Sequence, residues 1–173
     1  LLCLASTFAL GCAVLDETGT TSRDPLTSDV VDLASGSWRT LQVSDSPSTI
    51  SHDGRLAFLP NGDFLLADGY WNGRVVKFNE AGEYLMEWGE VGSGPGEFDL
   101  MHGTAVDREG RVYIGDRTNN RIQVFTAEGE FIEEWPDVHD PVNVFVDERD
   151  AVWVVSASHN RILKYDRAGE FQY

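Results

Sequence analysis

The sequence is poor in cysteine, in basic residues and in long apolar runs. Its two cysteines, Cys3 and Cys12, both lie among the first twelve of its 173 residues. The remainder of the chain can therefore form neither a disulfide nor a thiolate metal site. No window keeps a 3.6-residue apolar period for ten residues, so we expect no helix.

Basic residues are scarce: 13 Lys and Arg stand against 29 Asp and Glu, which gives a formal net charge of −16. A nucleic-acid partner needs a basic face for its phosphates, so this composition argues against one. The acidity is typical of the solvated surface of a secreted protein, with attraction for cations as the alternative. The partners that remain are a peptide or small-molecule ligand, or a protein.

The most apolar segment, residues 1–12, reads LLCLASTFALGC and is too short to span a bilayer. It resembles the apolar core of an export signal. Its last four residues, Ala9-Leu10-Gly11-Cys12, resemble a bacterial lipoprotein box, which implies acylation of Cys12. A plain signal peptide and a buried N-terminal segment are the alternatives. We expect export to the bacterial cell envelope or the extracellular space, with membrane contact only through the lipid anchor.

Composition divides the rest of the chain in two. Residues 13–36 are rich in Thr, Ser, Asp and Gly, which is typical of a flexible tether. Residues 38–43 alternate like a strand, either an isolated one or the outer strand of an incomplete blade. We therefore expect the folded domain to occupy residues 37–173.

Within that domain one pattern occurs three times, over residues 53–88, 101–135 and 141–173. Each copy holds short alternating strands separated by turns rich in Gly, Asp and Asn. Four-stranded units that repeat every 40 to 50 residues or so predict an all-β fold, a β-propeller of antiparallel blades. Three blades leave the ring incomplete, so we expect a fragment of a longer protein or a ring completed by several chains. The recurrent residues are Arg74, Arg121 and Arg161; Phe78, Phe125 and Tyr165; Gly82, Gly129 and Gly169; and Trp88 and Trp135.

Strand order decides which loops share a face. If strands a to d of each blade are antiparallel to their neighbours, the d–a and b–c connections emerge on one face and the a–b and c–d turns on the other. In the second copy we place the strands at residues 104–106, 111–114, 121–125 and 130–135. The d–a and b–c loops are longer and more varied, so their face is the candidate functional face.

The histidines are predicted on that face. His102 and His139 fall in d–a connections, His159 falls in a b–c loop, and His52 precedes the first strand of the first copy. His102, near the start of an inner strand, would lie at the mouth of the central channel, where several blades can share a metal ion. A hydrogen-bonded loop histidine is the alternative.

Two b–c loops add further candidates: one carries Tyr70 and Trp71, and the next carries Arg117. A tyrosine beside a metal ion can act as a general base, because the cation favours the phenolate. An arginine can hold a carboxylate. Trp71 is either a ligand platform or a blade-packing residue.

We expect structural roles, and not functional ones, for the residues that recur between copies. Arg74, Arg121 and Arg161 occupy the same place in every copy, and we expect them to bond between strands or blades. Asp68 and Asp116 lie at strand ends, where an aspartate most often caps a turn.

Several of these motifs resemble known repeats. The VDREGRVYIGD run, the Asn–Arg loops and the turns that close on Gly are similar to NHL-repeat six-bladed propellers. Between residues 67 and 135, the strings ADGYWNGRVVKF, WGEVGSGPGEFDLMHGTAVD and GDRTNNRIQVF resemble peptidyl-α-hydroxyglycine α-amidating lyase and its bacterial relatives. Those enzymes cleave a peptidyl-hydroxyglycine into a peptide amide and glyoxylate.

The resemblance implies a site. In that family three histidines from different blades hold a zinc ion, which polarises the hydroxyglycine oxygen, and His102 matches the middle histidine. Tyr70 matches the tyrosine that takes the hydroxyl proton, and Arg117 matches an arginine of the site. Zinc is the implied cofactor, with calcium as the alternative. One histidine cannot hold zinc, so we expect this fragment alone to be inactive. The alternative function is a non-catalytic propeller that binds a protein, peptide or glycan on its d–a/b–c loop face.

Overall fold

The computed structural model describes residues 54–173 in full and, before them, the backbones of two strands. The chain divides into two compact units, Leu1–Gln42 and Val43–Tyr173. The predicted leader over residues 1–12, with Cys12 as its acylation site, lies outside the described residues. So does His52. No described segment forms a helix long and apolar enough to cross a membrane.

The first unit contains a hairpin. Strand β1, Thr27–Asp32, pairs antiparallel with β2, Ser37–Gln42. Strand β1 lies within residues 13–36, for which the sequence predicts a tether, and its Thr and Val residues favour extended backbone. The predicted strand over residues 38–43 is thus not isolated, because β2 finds its partner in β1; its place in an incomplete blade stays a prediction.

The second unit contains three antiparallel sheets, which we call blades 1 to 3. Blade 1 contains β3 Arg55–Phe58, β4 Phe64–Asp68, β5 Arg74–Phe78 and β6 Tyr84–Trp88. A short parallel pair, β7 Glu90–Val91 and β8 Glu97–Phe98, follows it. Blade 2 contains β9 Met101–Val106, β10 Val112–Asp116, β11 Arg121–Phe125 and β12 Phe131–Trp135. Blade 3 contains β13 Pro141–Val146, β14 Val152–Ser156 and β15 Arg161–Tyr165. The prediction of an all-β propeller with about three blades is confirmed.

Strand a of blade 2 differs from the prediction. It begins at Met101, three residues before the predicted start, and Met101 pairs with Asp116 beyond a register shift in the sheet. His102 is therefore a strand residue and does not lie in the d–a connection. Strand c, Arg121–Phe125, has the predicted bounds.

The core lies between blades. Val75 in blade 1 and Ile122 in blade 2 occupy the same position of strand c, and each is fully buried against the next blade. Ile162 holds this position in blade 3, where the described residues place no further blade, and it is 65% exposed. Burial of these side chains therefore depends on blade stacking, as repeat architectures require.

The recurrent Trp and Gly residues form a contact between blades. The ring of Trp88 lies against the c–d turn of blade 2 at Gly129, and Trp135 lies against the turn of blade 3 at Gly169. Both glycines have φ near +80°, at +80° and +79°. A side chain there would meet both a disfavoured backbone region and the indole.

The recurrent arginines bridge strands in two blades. Arg121 is buried and donates to Asp116 Oδ2 at 2.7 Å and to Glu134 Oε2 at 2.7 Å. Arg74 makes the equivalent pairs in blade 1. Arg161 is exposed and makes no ion pair within the described residues, because Ser156 replaces the aspartate.

The two aspartates do more than cap turns. Asp68 and Asp116 are fully buried and accept hydrogen bonds from the buried arginines of their own blades. Each also accepts from a loop asparagine, Asn72 in blade 1 and Asn119 in blade 2. A turn cap is thus only part of their role, because these carboxylates bind the b–c loop and also pair with the arginine of strand c.

Candidate functional site

Tyr70 and His102 meet across the boundary between blades 1 and 2. The tyrosine hydroxyl lies 3.4 Å from His102 Nε2, and the ring centroids are 5.8 Å apart. Both residues are half-buried. Gly69 allows this approach, because a Cβ on it would lie 2.7 Å from the carbonyl carbon of Met101. A larger residue at position 69 would push the loop away from β9.

The other nitrogen of His102 fixes the ring. Nδ1 lies 2.8 Å from the carbonyl oxygen of Val142 in blade 3. A carbonyl oxygen can only accept, so Nδ1 carries the hydrogen. In the neutral ring, Nε2 then has a lone pair that faces the hydroxyl of Tyr70. The histidine is oriented by backbone, in the way that metal ligands and catalytic histidines commonly are.

Arg117 completes the cluster from the b–c loop of blade 2. Its Nε donates to Asp140 Oδ1 at 2.5 Å. The pKa of Arg117 is raised, chiefly by this hydrogen bond; burial opposes the rise, and the charge of Asp140 and the interactions with Tyr70 add to it. The guanidinium therefore stays charged and lies beside Tyr70 with its side chain 35% exposed.

Asp140 is a site residue that the sequence prediction missed. Its backbone N–H donates to Asn120 Oδ1 at 2.9 Å, and its carbonyl oxygen accepts from Ala157 N–H at 3.1 Å. Its φ of 46° matches the 52° of Leu100, the residue before strand a in blade 2. The repeats align Asp140 of blade 3 with Leu100 of blade 2. The sequence signal that could have found Asp140 is this carboxylate at a position where blade 2 has an apolar residue.

Trp71, His139 and His159 lie in three different connections between strands and differ in setting. Trp71 follows Tyr70 directly and is 73% exposed, so it is not a blade-packing residue within the described residues. His139 and His159 are exposed, and their ring centroids lie 4.7 Å apart. The structure thus brings Tyr70, His102 and Arg117 together and pairs the other two histidines with each other.

No group of three or more His, Cys, Asp or Glu side chains is arranged to hold a metal ion in the part of the chain that the structure describes. His102 is the one strand-a histidine between residues 54 and 173. Zinc and calcium therefore stay predictions.

Comparison with known proteins identifies the family. A family model described as a 6-bladed beta-propeller matches residues 54–143. The chain belongs to this 6-bladed β-propeller family. The match spans blades 1 and 2 and the start of blade 3, and therefore includes Tyr70, His102, Arg117 and Asp140.

Relatives of this 6-bladed β-propeller include amidating enzymes and NHL proteins. Peptidyl-glycine alpha-amidating monooxygenase B of Xenopus laevis is 40% identical over 79 residues, which are 42% of this chain and 9% of the frog protein. Human NHL repeat-containing protein 3 is 34% identical over 98 residues, 54% of this chain and 28% of the human protein. The chain thus spans only a small part of these relatives.

A solved streptogramin B lyase has the same fold, with a TM-score of 0.65 and 17% identity. The match covers 88% of this chain and 48% of the lyase. At this identity the likeness concerns the propeller fold alone.

Proposed function

We propose that the protein cleaves the C–N bond of peptidyl-α-hydroxyglycine substrates, or of close analogues, to an amide and glyoxylate. The observation that carries the proposal is the convergence of Tyr70, His102 and Arg117, three residues that occur outside the recurrent positions, at a boundary of blades. Similarity to amidating enzymes, over 42% of this chain for the Xenopus laevis protein and 46% for the Drosophila melanogaster lyase, supports it. Export and acylation of Cys12 belong to the same proposal.

The reaction requires a proton acceptor and a carboxylate partner. The reacting carbon carries a hydroxyl, a carboxylate and the amide nitrogen. The hydroxyl loses its proton and becomes the aldehyde oxygen of glyoxylate. The C–N bond breaks with its electron pair on nitrogen, and that nitrogen gains a proton to give the amide. Atoms and charge balance without an oxidant or reductant.

The cluster offers groups that bind the carboxylate and take the hydroxyl proton, and water supplies the proton that the leaving nitrogen gains. Arg117 is positioned to bind the substrate carboxylate through guanidinium nitrogens that Asp140 does not use. The oxygen of Tyr70 takes the substrate hydroxyl proton while its own proton passes to Nε2 of His102, 3.4 Å away. His102 can accept it because Nδ1 already donates to Val142.

The described residues fit a zinc ion only in part. His102 has the orientation of a ligand, with Nδ1 held by a backbone carbonyl and Nε2 facing the cluster. A structural or catalytic zinc ion needs three or four protein ligands, and the described residues supply one. We therefore assign no step to zinc.

Glyoxylate release from N-benzoyl-α-hydroxyglycine by the complete protein tests the proposal. We expect Tyr70→Phe to lower kcat by about 100-fold or more, as loss of a general base does. Tyr84→Phe is the matched control, because Tyr84 lies in the outer strand of blade 1 and packs on Phe78. Absence of glyoxylate with the wild-type protein would refute the lyase.

A second candidate function is non-catalytic ligand binding on the same face. The 73% exposure of Trp71 beside Tyr70 favours it, because an exposed indole is a common contact for peptides and sugars. Under this alternative Trp71→Ala abolishes ligand binding, and the ligand is recovered chemically unchanged. Product formation distinguishes the two candidates.

A further inference from the structure

Two exposed histidines of blade 3 face each other outside the cluster of Tyr70, His102 and Arg117. His139 lies in the connection between β12 and β13, and His159 lies in the loop between β14 and β15. Their ring centroids are 4.7 Å apart, with the rings inclined by 65°. Two imidazoles from separate loops are thus within reach of a single small ion.

The nitrogens of both rings are available. Neither ring makes a hydrogen bond or an ion pair within residues 54–173, and both residues are exposed. An imidazole nitrogen without a hydrogen is a good ligand for borderline metal ions. No hydrogen bond or ion pair of these rings within residues 54–173 therefore has to be broken before such an ion binds.

The loops that carry the two histidines are fixed to each other. Ser156 Oγ donates to the carbonyl oxygen of His139 at 2.6 Å, and Ala157 N–H donates to the next carbonyl, that of Asp140, at 3.1 Å. Asn160, beside His159, has φ of 50° and donates its N–H to the Ala157 carbonyl at 3.2 Å. This order reduces the entropy lost when both rings bind one ion.

We propose that His139 and His159 together bind a divalent transition-metal ion of the Zn²⁺, Ni²⁺ or Cu²⁺ class. Imidazole pairs suit these ions, whereas Mg²⁺ and Ca²⁺ prefer oxygen ligands. Water completes the coordination, because no third His, Cys, Asp or Glu joins the pair in the described residues. The net charge of −16 raises the local cation concentration.

This site is separate from the proposed lyase centre. The resemblance to amidating lyases places a metal ligand at the second residue of strand a, and in blade 3 that residue is Val142. His139 and His159 do not occupy that position. The ion site therefore does not depend on whether the protein cleaves hydroxyglycines.

Zinc titration of the ¹⁵N-labelled protein tests the pair, with the ring nitrogens of each histidine followed by NMR. We expect the His139 and His159 signals to shift together with one dissociation constant. His159→Gln should weaken the response of His139 by about tenfold or more, because the second imidazole acts at high effective concentration. His139→Gln should weaken the response of His159 equally.

Two controls keep the result interpretable. His102→Gln should leave the paired response unchanged, which separates this site from the lyase centre. The backbone amide spectrum of each variant reports that the blades are still folded. Different midpoints for His139 and His159, or an unchanged His139 response in His159→Gln, would show two independent imidazoles and overturn the proposal.

Discussion

Replacing Gly129 with alanine should destabilise the propeller at the contact between blades 1 and 2. Gly129 closes the c–d turn of blade 2 with φ of +80°, and a Cβ there would lie 2.7 Å from Cδ2 of Trp88. Trp88 belongs to β6 and also contacts Phe125 at 6.2 Å between ring centroids. The substitution thus acts on one turn and on one contact between blades.

Two terms contribute to the loss. A residue with a side chain in the left-handed region costs about 1–2 kcal/mol. An extra methyl forced into a packed contact costs about 1–3 kcal/mol. The free energy of unfolding should therefore fall by about 2–5 kcal/mol.

Gly110→Ala isolates the packing term. Gly110 lies in the a–b turn of the same blade with φ of +85°. A Cβ added there would have the Cβ of Ala127 as its nearest neighbour, at 3.9 Å. It therefore carries the backbone cost without the clash. Gly129→Ala should be the more damaging change by about 1–3 kcal/mol.

Urea unfolding followed by tryptophan fluorescence measures both variants. The slope of the free energy with urea should stay the same, so that the shift in midpoint reports stability. Equal losses for Gly129→Ala and Gly110→Ala would refute the packing of Trp88 on the blade 2 turn.

Two further predictions concern buried charges. Arg121→Met should lower the free energy of unfolding in urea by about 3–5 kcal/mol, because it leaves the buried Asp116 without its cation. Arg161→Met, at the exposed position in blade 3, should have little effect. Equal losses for the two variants would contradict the structural role of Arg121. Asp107→Asn should lower stability near neutral pH. Burial raises the pKa of Asp107, but hydrogen bonds from Arg111 and Tyr113 and the charge of Arg167 outweigh that effect, so the pKa lies below the ordinary 3.8. The carboxylate therefore contributes stability above that pH, and the difference between wild type and variant should shrink as the pH falls below 3.8; a constant difference would contradict this.

The blades could be predicted from sequence because their cause is local. Alternation of apolar and polar residues sets each strand, and the glycines at Gly129 and Gly169 mark turns with positive φ. Trp88 and Trp135 recur in register in the sequence, but their packing on the turns at Gly129 and Gly169 is a finding of the structure. Arg161 shows the limit: it shares the register of Arg121, but its partners depend on residues that do not recur.

The candidate site was predictable only in part. Strand alternation placed Tyr70, His102 and Arg117 on one face, but it did not show which groups touch. The bond from His102 to the Val142 carbonyl joins residues 40 positions apart. The pair of Arg117 and Asp140 also depends on how adjacent blades stack. A single sequence does not show which residues of adjacent blades come into contact, so Asp140 was missed.

The central claim is that Tyr70 and Arg117 act on one substrate as a unit. Glyoxylate release from N-benzoyl-α-hydroxyglycine by Tyr70→Phe, Arg117→Lys and the double variant of the complete protein tests it most directly. We expect each single change to lower kcat/KM strongly, and the double variant to lose less than the product of the two effects. Independent, fully multiplicative effects, or a Tyr70→Phe protein with the wild-type rate, would contradict it.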